Sequence, residues 1–410
     1  MRVKSFCRIS FVVLLFMTLA SSCRKESSEP DYSYYVSKEH LTSYSESFAN
    51  NLIDIASVLF PEAGELKQYI SSGADLYKLV YKTTVGGEKI LASGIVCFPE
   101  EPGEYPVLSF QNGTNTRHSN APSEEPGEYG YQMIETISSM GYIVVIADYP
   151  GFGESSDIPH PYLVAEPTVR SLVDMLYAVR EMDGTELPEI SVLNEYYLLG
   201  YSQGGSATLQ LHKALELEYN ADFRLEGSSC GAGPYNISLL LQKIVSLETF
   251  PMPYYLGYVL NAYSAYHQFT NPISDIFNEP YATRVSSLFT GQLNVGQINA
   301  QLTTSIPELV NPDFLAGFLT SAKYAPIRQA MDNNSIAPWK TSVPLLMIHG
   351  DADTHVDPSA TENMYAAMIG AGTSPVICKK IILPGTDHSD GVIPAIIQGF
   401  LFLNNLRNSN

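Results

Sequence analysis

Apolar residues fall along this chain in two alternating kinds of run. Short unbroken runs, such as Tyr-Ile-Val-Val-Ile-Ala at 142–147, are too short for buried helices and rich in β-branched residues, so they read as strands covered on both faces. Between them lie stretches with apolar residues three and four apart. Val169, Leu172, Val173, Leu176 and Val179, opened by Glu166-Pro167, form one such helical stripe. The pattern predicts strands at 106–111, 142–147, 196–199, 224–228, 344–349 and 376–383. Helices are expected at 132–140, after Pro167, at 206–216 and behind each of the last two strands. Such alternation predicts an α/β fold with a mainly parallel sheet flanked by helices. Ahead of it, 76–84 and 89–98 read as two strands joined at Gly86-Gly87, an antiparallel hairpin suited to one sheet edge.

Two regions depart from this rhythm. Residues 235–340 are helix-rich, punctuated by proline and aromatic, with Phe250, Tyr254, Tyr255, Tyr258, Tyr263 and Phe277 among them. They read as one helical cap inserted between a first core segment, 75–234, and a second, 341–410. Most of these aromatics are expected to be the cap's own core. At the other end, 24–45 reads as a polar tether. Residues 46–70, with Phe48, Leu52, Ile55 and Leu59 at helical spacing, read as short helices outside the main core. No internal repeat is evident.

The first 22 residues read as an address. Arg2, Lys4 and Arg8 accompany an apolar run at 9–20, shorter than the ~20 residues of a bilayer span. Ala20, Ser21 and Ser22 then precede Cys23. This resembles a bacterial lipobox, which implies a lipid on Cys23 and a place in the bacterial cell envelope; ordinary signal-peptidase cleavage is the alternative.

Charge narrows the function. Lys and Arg number 23 against 43 Asp and Glu, a net charge of −20, and loss of the leader would make the chain more acidic still. A nucleic-acid binder needs a basic face, and an anionic substrate would meet an opposing field. Only 16 % of residues are charged, and 27 tyrosines contribute to the polar complement, which suits a neutral substrate. Cys97, Cys230 and Cys378 have no zinc or disulfide spacing and read as buried thiols.

The candidate chemistry lies at strand ends. Gly200-Tyr201-Ser202-Gln203-Gly204 follows a strand and opens a helix, a turn tight enough to need neighbours without side chains. It raises the Ser202 hydroxyl above the sheet and sets the Gln203 N–H at the positive end of a helix, where an oxyanion would be held. His388, just after the last predicted strand, is the candidate base. The candidate acid lies in His349-Gly350-Asp351-Ala352-Asp353; Asp353 is the first choice and Asp351 the second. Asp351, Asp353, His355, Asp357 and Glu362 also fit the ligand spacing of a calcium loop. Val356, however, occupies its glycine position and a strand precedes it, so no metal is assigned. The loop Gln111-Asn112-Gly113-Thr114-Asn115 is the candidate source of a second oxyanion donor, with the Thr114 N–H ahead of that of Asn115. Asp148, opening a glycine-rich loop without the Lys-Ser/Thr ending of a phosphate loop, reads as a structural anchor.

With these motifs the chain resembles the α/β-hydrolases, and within them the secretory lipases and related bacterial lipoprotein esterases. The resembling segments are Phe110 to Thr114, Asp148 to Gly153, His160-Pro161-Tyr162-Leu163, Gly200 to Gly204, His349 to Val356 and Gly385 to His388. The likeness runs from about Leu76 to the C-terminus, and Asn112 stands where relatives usually carry histidine. It implies Ser202 as nucleophile, Asp353 as acid, His388 as base, a cap before the last two strands, and no cofactor. The expected activity is hydrolysis of a small-molecule or polysaccharide carboxylic ester. A peptidase of the same fold, or a lipid-anchored binding protein on a hydrolase scaffold, are the alternatives.

Overall fold

The protein is described here by a computed structural model covering residues 32–409. The leader and Cys23 lie outside the described residues. Nine strands form one sheet in the order β1-β2-β3-β5-β4-β6-β7-β8-β9. They are β1 (Tyr35–Tyr44), β2 (Ala74–Val85), β3 (Glu88–Pro99), β4 (Gly103–Gln111), β5 (Ile143–Ala147), β6 (Ile190–Tyr201), β7 (Leu225–Gly231), β8 (Leu345–Gly350) and β9 (Cys378–Leu383). Pairing is antiparallel from β1 through β2 and β3 to β5, and parallel from β5 to β9. The hairpin turns at Gly86 and Gly87, both at positive φ, as a two-residue loop between right-twisted strands requires.

Helices cover both faces: α1 (Glu46–Leu59), α2 (Tyr129–Glu135), α3 (Ala165–Glu181) and α4 (Gln203–Leu217) before the cap, and α12 (Ser359–Gly370) and α13 (Val392–Arg407) after it. Between β7 and β8 run α5 (Ile237–Val245), α6 (Pro253–Ala265), α7 (Tyr281–Leu288), α8 (Val295–Asn299), α9 (Ile306–Leu309), α10 (Pro312–Gly317) and α11 (Ala325–Asn334). The apolar run of β5 is explained by this layering. Ile143 and Val145 pack with Leu172, Leu176 and Leu211 of α3 and α4, whereas Val144 and Ile146 pack with Leu52, Ile397 and Phe400 on the opposite face. The α5–α11 segment has a separate core of residues such as Phe250, Leu256, Tyr263, Phe277 and Phe314. Tyr162, Leu163 and Val164, from the loop before α3, insert into it.

Two readings of the N-terminal part need correction. Residues 35–44, read as tether, form the edge strand β1. Its Ser37, Lys38, Glu39 and His40 are mostly exposed, so the strand lacks the apolar alternation by which strands are recognised. The helix after it is not outside the core. Of its predicted stripe, Phe48 and Leu52 pack with Ile53 and Ala56 against Leu76 and Leu108 of the sheet, whereas Ile55 and Leu59 are 60 % and 77 % exposed.

Candidate active site

β6 ends at Tyr201 and α4 begins at Gln203, so Ser202 makes the whole turn, with φ 59° and ψ −123°. A non-glycine residue held there stores on the order of 1–3 kcal/mol of backbone strain. The close neighbours that hold it are main chain. A Cβ on Gly204 would lie 1.8 Å from the Gln111 carbonyl oxygen, and one on Gly205 2.2 Å from that of Gly231. The turn is therefore wedged between the ends of β4 and β7, and the Ser202 N–H donates to the Gly231 carbonyl at 2.8 Å.

Three of the residues singled out from sequence come together here. The Ser202 hydroxyl lies 2.8 Å from Nε2 of His388, and the His388 Nδ1 lies 2.6 Å from Oδ2 of Asp353. A carboxylate only accepts, so Nδ1 carries the proton and Nε2 presents a lone pair to the serine. Asp353 is held by more than this. Its Oδ1 accepts the N–H groups of His355 and Val356 at 2.8 and 2.9 Å, and its Oδ2 also accepts Nε2–H of His349 at 3.1 Å. Burial would raise its pKa, but the donors from His349, His388 and Val356 outweigh burial and hold the carboxyl well below the usual carboxylate range. The second-choice acid, Asp351, instead accepts the Gly385 N–H at 2.6 Å and so braces the loop that carries His388. Asp357 pairs with Lys243 and Glu362 with Lys380. Among the described residues no cluster of three or more His, Cys, Asp or Glu could hold a metal ion.

On the other side of Ser202 stand the proposed oxyanion donors. Gln203 opens α4. The loop after β4 passes beside the turn: a Cβ on Gly113 would be 3.9 Å from the Tyr201 carbonyl oxygen. Thr114 follows, its hydroxyl 3.0 Å from that of Tyr162. The Asn115 carbonyl accepts the Tyr258 hydroxyl of α6 at 3.1 Å. Asp148 is buried and accepts both hydroxyl and N–H of Ser123, at 2.6 and 2.8 Å, and the Ser93 hydroxyl at 2.5 Å, tying β3 and the 148–153 loop together.

Sequence reasoning gave no role to three residues that matter here. His349 is buried, with Nδ1 2.7 Å from the Thr361 hydroxyl and Nε2–H directed at Asp353 and the Val356 carbonyl. Tyr201 donates its hydroxyl to the His388 carbonyl at 2.8 Å, fixing the candidate base through the residue preceding Ser202. His160 is buried between the Pro150 carbonyl at 2.8 Å and the Gln203 side-chain amide at 2.9 Å, and burial pushes its pKa down to about 4. The one signal available was position: His349 lies four residues before Asp353, Tyr201 beside Ser202, and His160 in a segment already marked by resemblance.

Above Ser202 the cap leaves a narrow apolar cavity of about 30 Å³, lined by Leu163, Ile237, Leu241, Ile244, Phe250, Tyr255, Leu256 and Val259 together with Tyr162, His355 and Val356. At ~10–15 Å³ per water it has room for about two. Cys97, Cys230 and Cys378 are buried and free. No described helix is long and apolar enough to cross a membrane.

Comparison with known proteins bears on the family and the fold. The profile of the alpha/beta hydrolase family matches residues 129–394. No curated protein matches the sequence. Among solved structures, a Legionella pneumophila protein assigned as a hydrolase is 26 % identical with a TM-score of 0.81, over 91 % of this chain and 98 % of that one. The rice cell wall degrading esterase LipA from Xanthomonas oryzae is 21 % identical with a TM-score of 0.74, over 92 % and 98 %. Candida antarctica lipase A is 17 % identical with a TM-score of 0.64, over 92 % and 82 %. The last two likenesses show the fold.

Proposed function

This chain belongs to the alpha/beta hydrolase family, and from that premise we propose that it is a serine hydrolase of neutral carboxylic esters. The observation that carries the proposal is the hydrogen-bonded series Ser202–His388–Asp353 at a strained turn, opening into an apolar cavity. Ser202 attacks the ester carbonyl while His388 Nε2 takes its proton. Asp353 holds the imidazole in the tautomer that makes this possible and balances the imidazolium that forms. The N–H groups of Gln203 and Thr114 receive the oxyanion. His388 then protonates the leaving alcohol, and water enters by the reverse steps to free the acid and Ser202. The apolar lining takes the acyl group, and the acidic surface favours an uncharged ester over an anionic one.

The test is turnover of p-nitrophenyl esters of graded acyl length, run beside aminoacyl amides. Ester cleavage that is lost in Ser202→Ala, with a fluorophosphonate adduct on Ser202 of the native enzyme, is expected. Cleavage of the amides alone would favour a peptidase, and absence of the adduct a binding role. We further propose that Cys23 carries a lipid that anchors the enzyme at the bacterial cell envelope. Cys23→Ser should then move the protein from the membrane fraction to the soluble one.

A further inference from the structure

The oxyanion side of the site rests on a short segment that the proton-transfer series never touches. His160 faces two groups. Pro150 offers a carbonyl oxygen to Nδ1, and a carbonyl only accepts, so Nδ1 carries the hydrogen. Nε2 is then a lone pair, which accepts the side-chain N–H of Gln203. Burial disfavours the charged form of this ring, so the arrangement persists at neutral pH. Gln203 is the residue whose backbone N–H faces the reacting carbonyl in the function proposed above, so His160 fixes the first turn of α4 at that point. Two residues on, the Tyr162 hydroxyl meets the Thr114 hydroxyl at 3.0 Å, on the loop that would supply the second donor.

The cap closes over this segment. Tyr258 of α6 stacks on Tyr162, with ring centroids 4.3 Å apart and planes 6° from parallel, and Phe289 stacks on the outer face of Tyr258 at 4.5 Å. The Tyr258 hydroxyl donates to the Asn115 carbonyl, one residue past Thr114. Five residues along the same helix, Tyr263 donates to the Leu163 carbonyl at 2.9 Å. One cap helix thus grips both the 160–163 segment and the loop after β4.

We propose that His160 and Tyr162 are positioning residues for the oxyanion hole, His160 through Gln203 and Tyr162 through Thr114, and that Tyr258 of the cap locks them. The proposal rests on the ester-hydrolase reading above. It makes transition-state stabilisation depend on the cap being seated.

The experiment compares wild type with Tyr162→Phe, Tyr258→Phe, His160→Leu and His160→Gln, using a short p-nitrophenyl ester and a trifluoromethyl ketone. The ketone's adduct with Ser202 places an oxyanion in the hole. Removing a donor outright costs about 10²–10³ in kcat, so displacing one should cost about tenfold. Tyr162→Phe and Tyr258→Phe keep their rings and are expected to lower kcat about tenfold, with KM and Tm near wild type and ketone affinity weakened in the same ratio. His160→Leu should fall further, and His160→Gln, which can again accept from Gln203, should recover part of the loss. Variants with wild-type kcat and ketone affinity would overturn the proposal, as would a kcat loss that leaves ketone affinity unchanged. Should His160→Leu fail to fold, the two phenylalanine variants still decide the matter. If wild type itself neither hydrolyses esters nor binds the ketone, the ester reading falls and this proposal with it.

Discussion

The two sides of Ser202 are built differently. On the acid–base side, His388 and Asp353 stand in loops that directly follow β9 and β8, and the carboxylate gathers four donors, from His388, His349 and the backbone of His355 and Val356. These bonds are charge-assisted and lie within the hydrolase core. On the oxyanion side the contacts are neutral: an imidazole, phenols, a threonine hydroxyl and a side-chain amide, with one of the phenols, Tyr258, reaching in from the cap. Bonds to an ionised group are roughly twice as strong as neutral ones. In the proposed mechanism, proton transfer would rest on charge-assisted bonds beside the sheet, whereas charge stabilisation would rest on neutral bonds that include one from the cap.

The largest test of this contrast is Asp353→Asn. It should reverse the His388 tautomer and lower kcat by on the order of 10⁴, read against the same ester, with little change in KM. A loss from Tyr162→Phe as large as this would erase the asymmetry. Next comes His349→Phe, which removes a buried donor to an ionised group. It should destabilise the fold by about 1.5–3 kcal/mol in urea or thermal unfolding.

The third test uses pH. His160 has a folded-state pKa near 4, below its ordinary value, so the unfolded chain binds more protons between those limits. Its contribution is complete above about pH 6.5 and is lost as pH falls through 4, by up to about 3 kcal/mol. His160→Gln should flatten that acid limb relative to wild type. Asp353, held low, weakens the fold only at still lower pH. Glu135 works in the opposite sense. Burial raises its pKa to about 7 despite the Tyr44 hydroxyl at 2.6 Å, so its contribution falls as pH rises from about 4.5 through 7. Glu135→Gln should therefore lessen the loss of Tm between about pH 4.5 and 7.

The smallest effect is expected from Asp351→Asn. This residue meets only the backbone of the His388 loop at a more exposed position, so stability should change by less than about 1 kcal/mol and kcat by less than twofold. A large fall in kcat would return Asp351 to contention as the acid.

Much of the sheet and of the acid–base side was legible because each residue there carries a local mark. Ser202 sits between glycines that only close main-chain packing explains, and His388 and Asp353 each follow an apolar strand. Parallel strands such as β5 announce themselves because both faces are covered. β1 did not, since an edge strand can be polar throughout. Only half of the α1 stripe faces the core because its apolar residues occupy more than one face, and packing alone decides which is buried. The oxyanion side was the least legible. His160 meets Gln203 across 43 positions and Tyr258 meets Asn115 across 143. Nothing local distinguishes a tyrosine that bonds a distant carbonyl from one that fills the cap's own core.

The cavity above Ser202 carries a consequence for timing. A cavity with room for about two waters suits a short acyl group, and a longer chain would need Leu241, Phe250 and their neighbours to step aside. Acyl length should then be discriminated chiefly by how fast a substrate is admitted and less by how tightly it is held once inside. With slow admission, a substrate's length would be judged at the entrance, before Ser202 meets it.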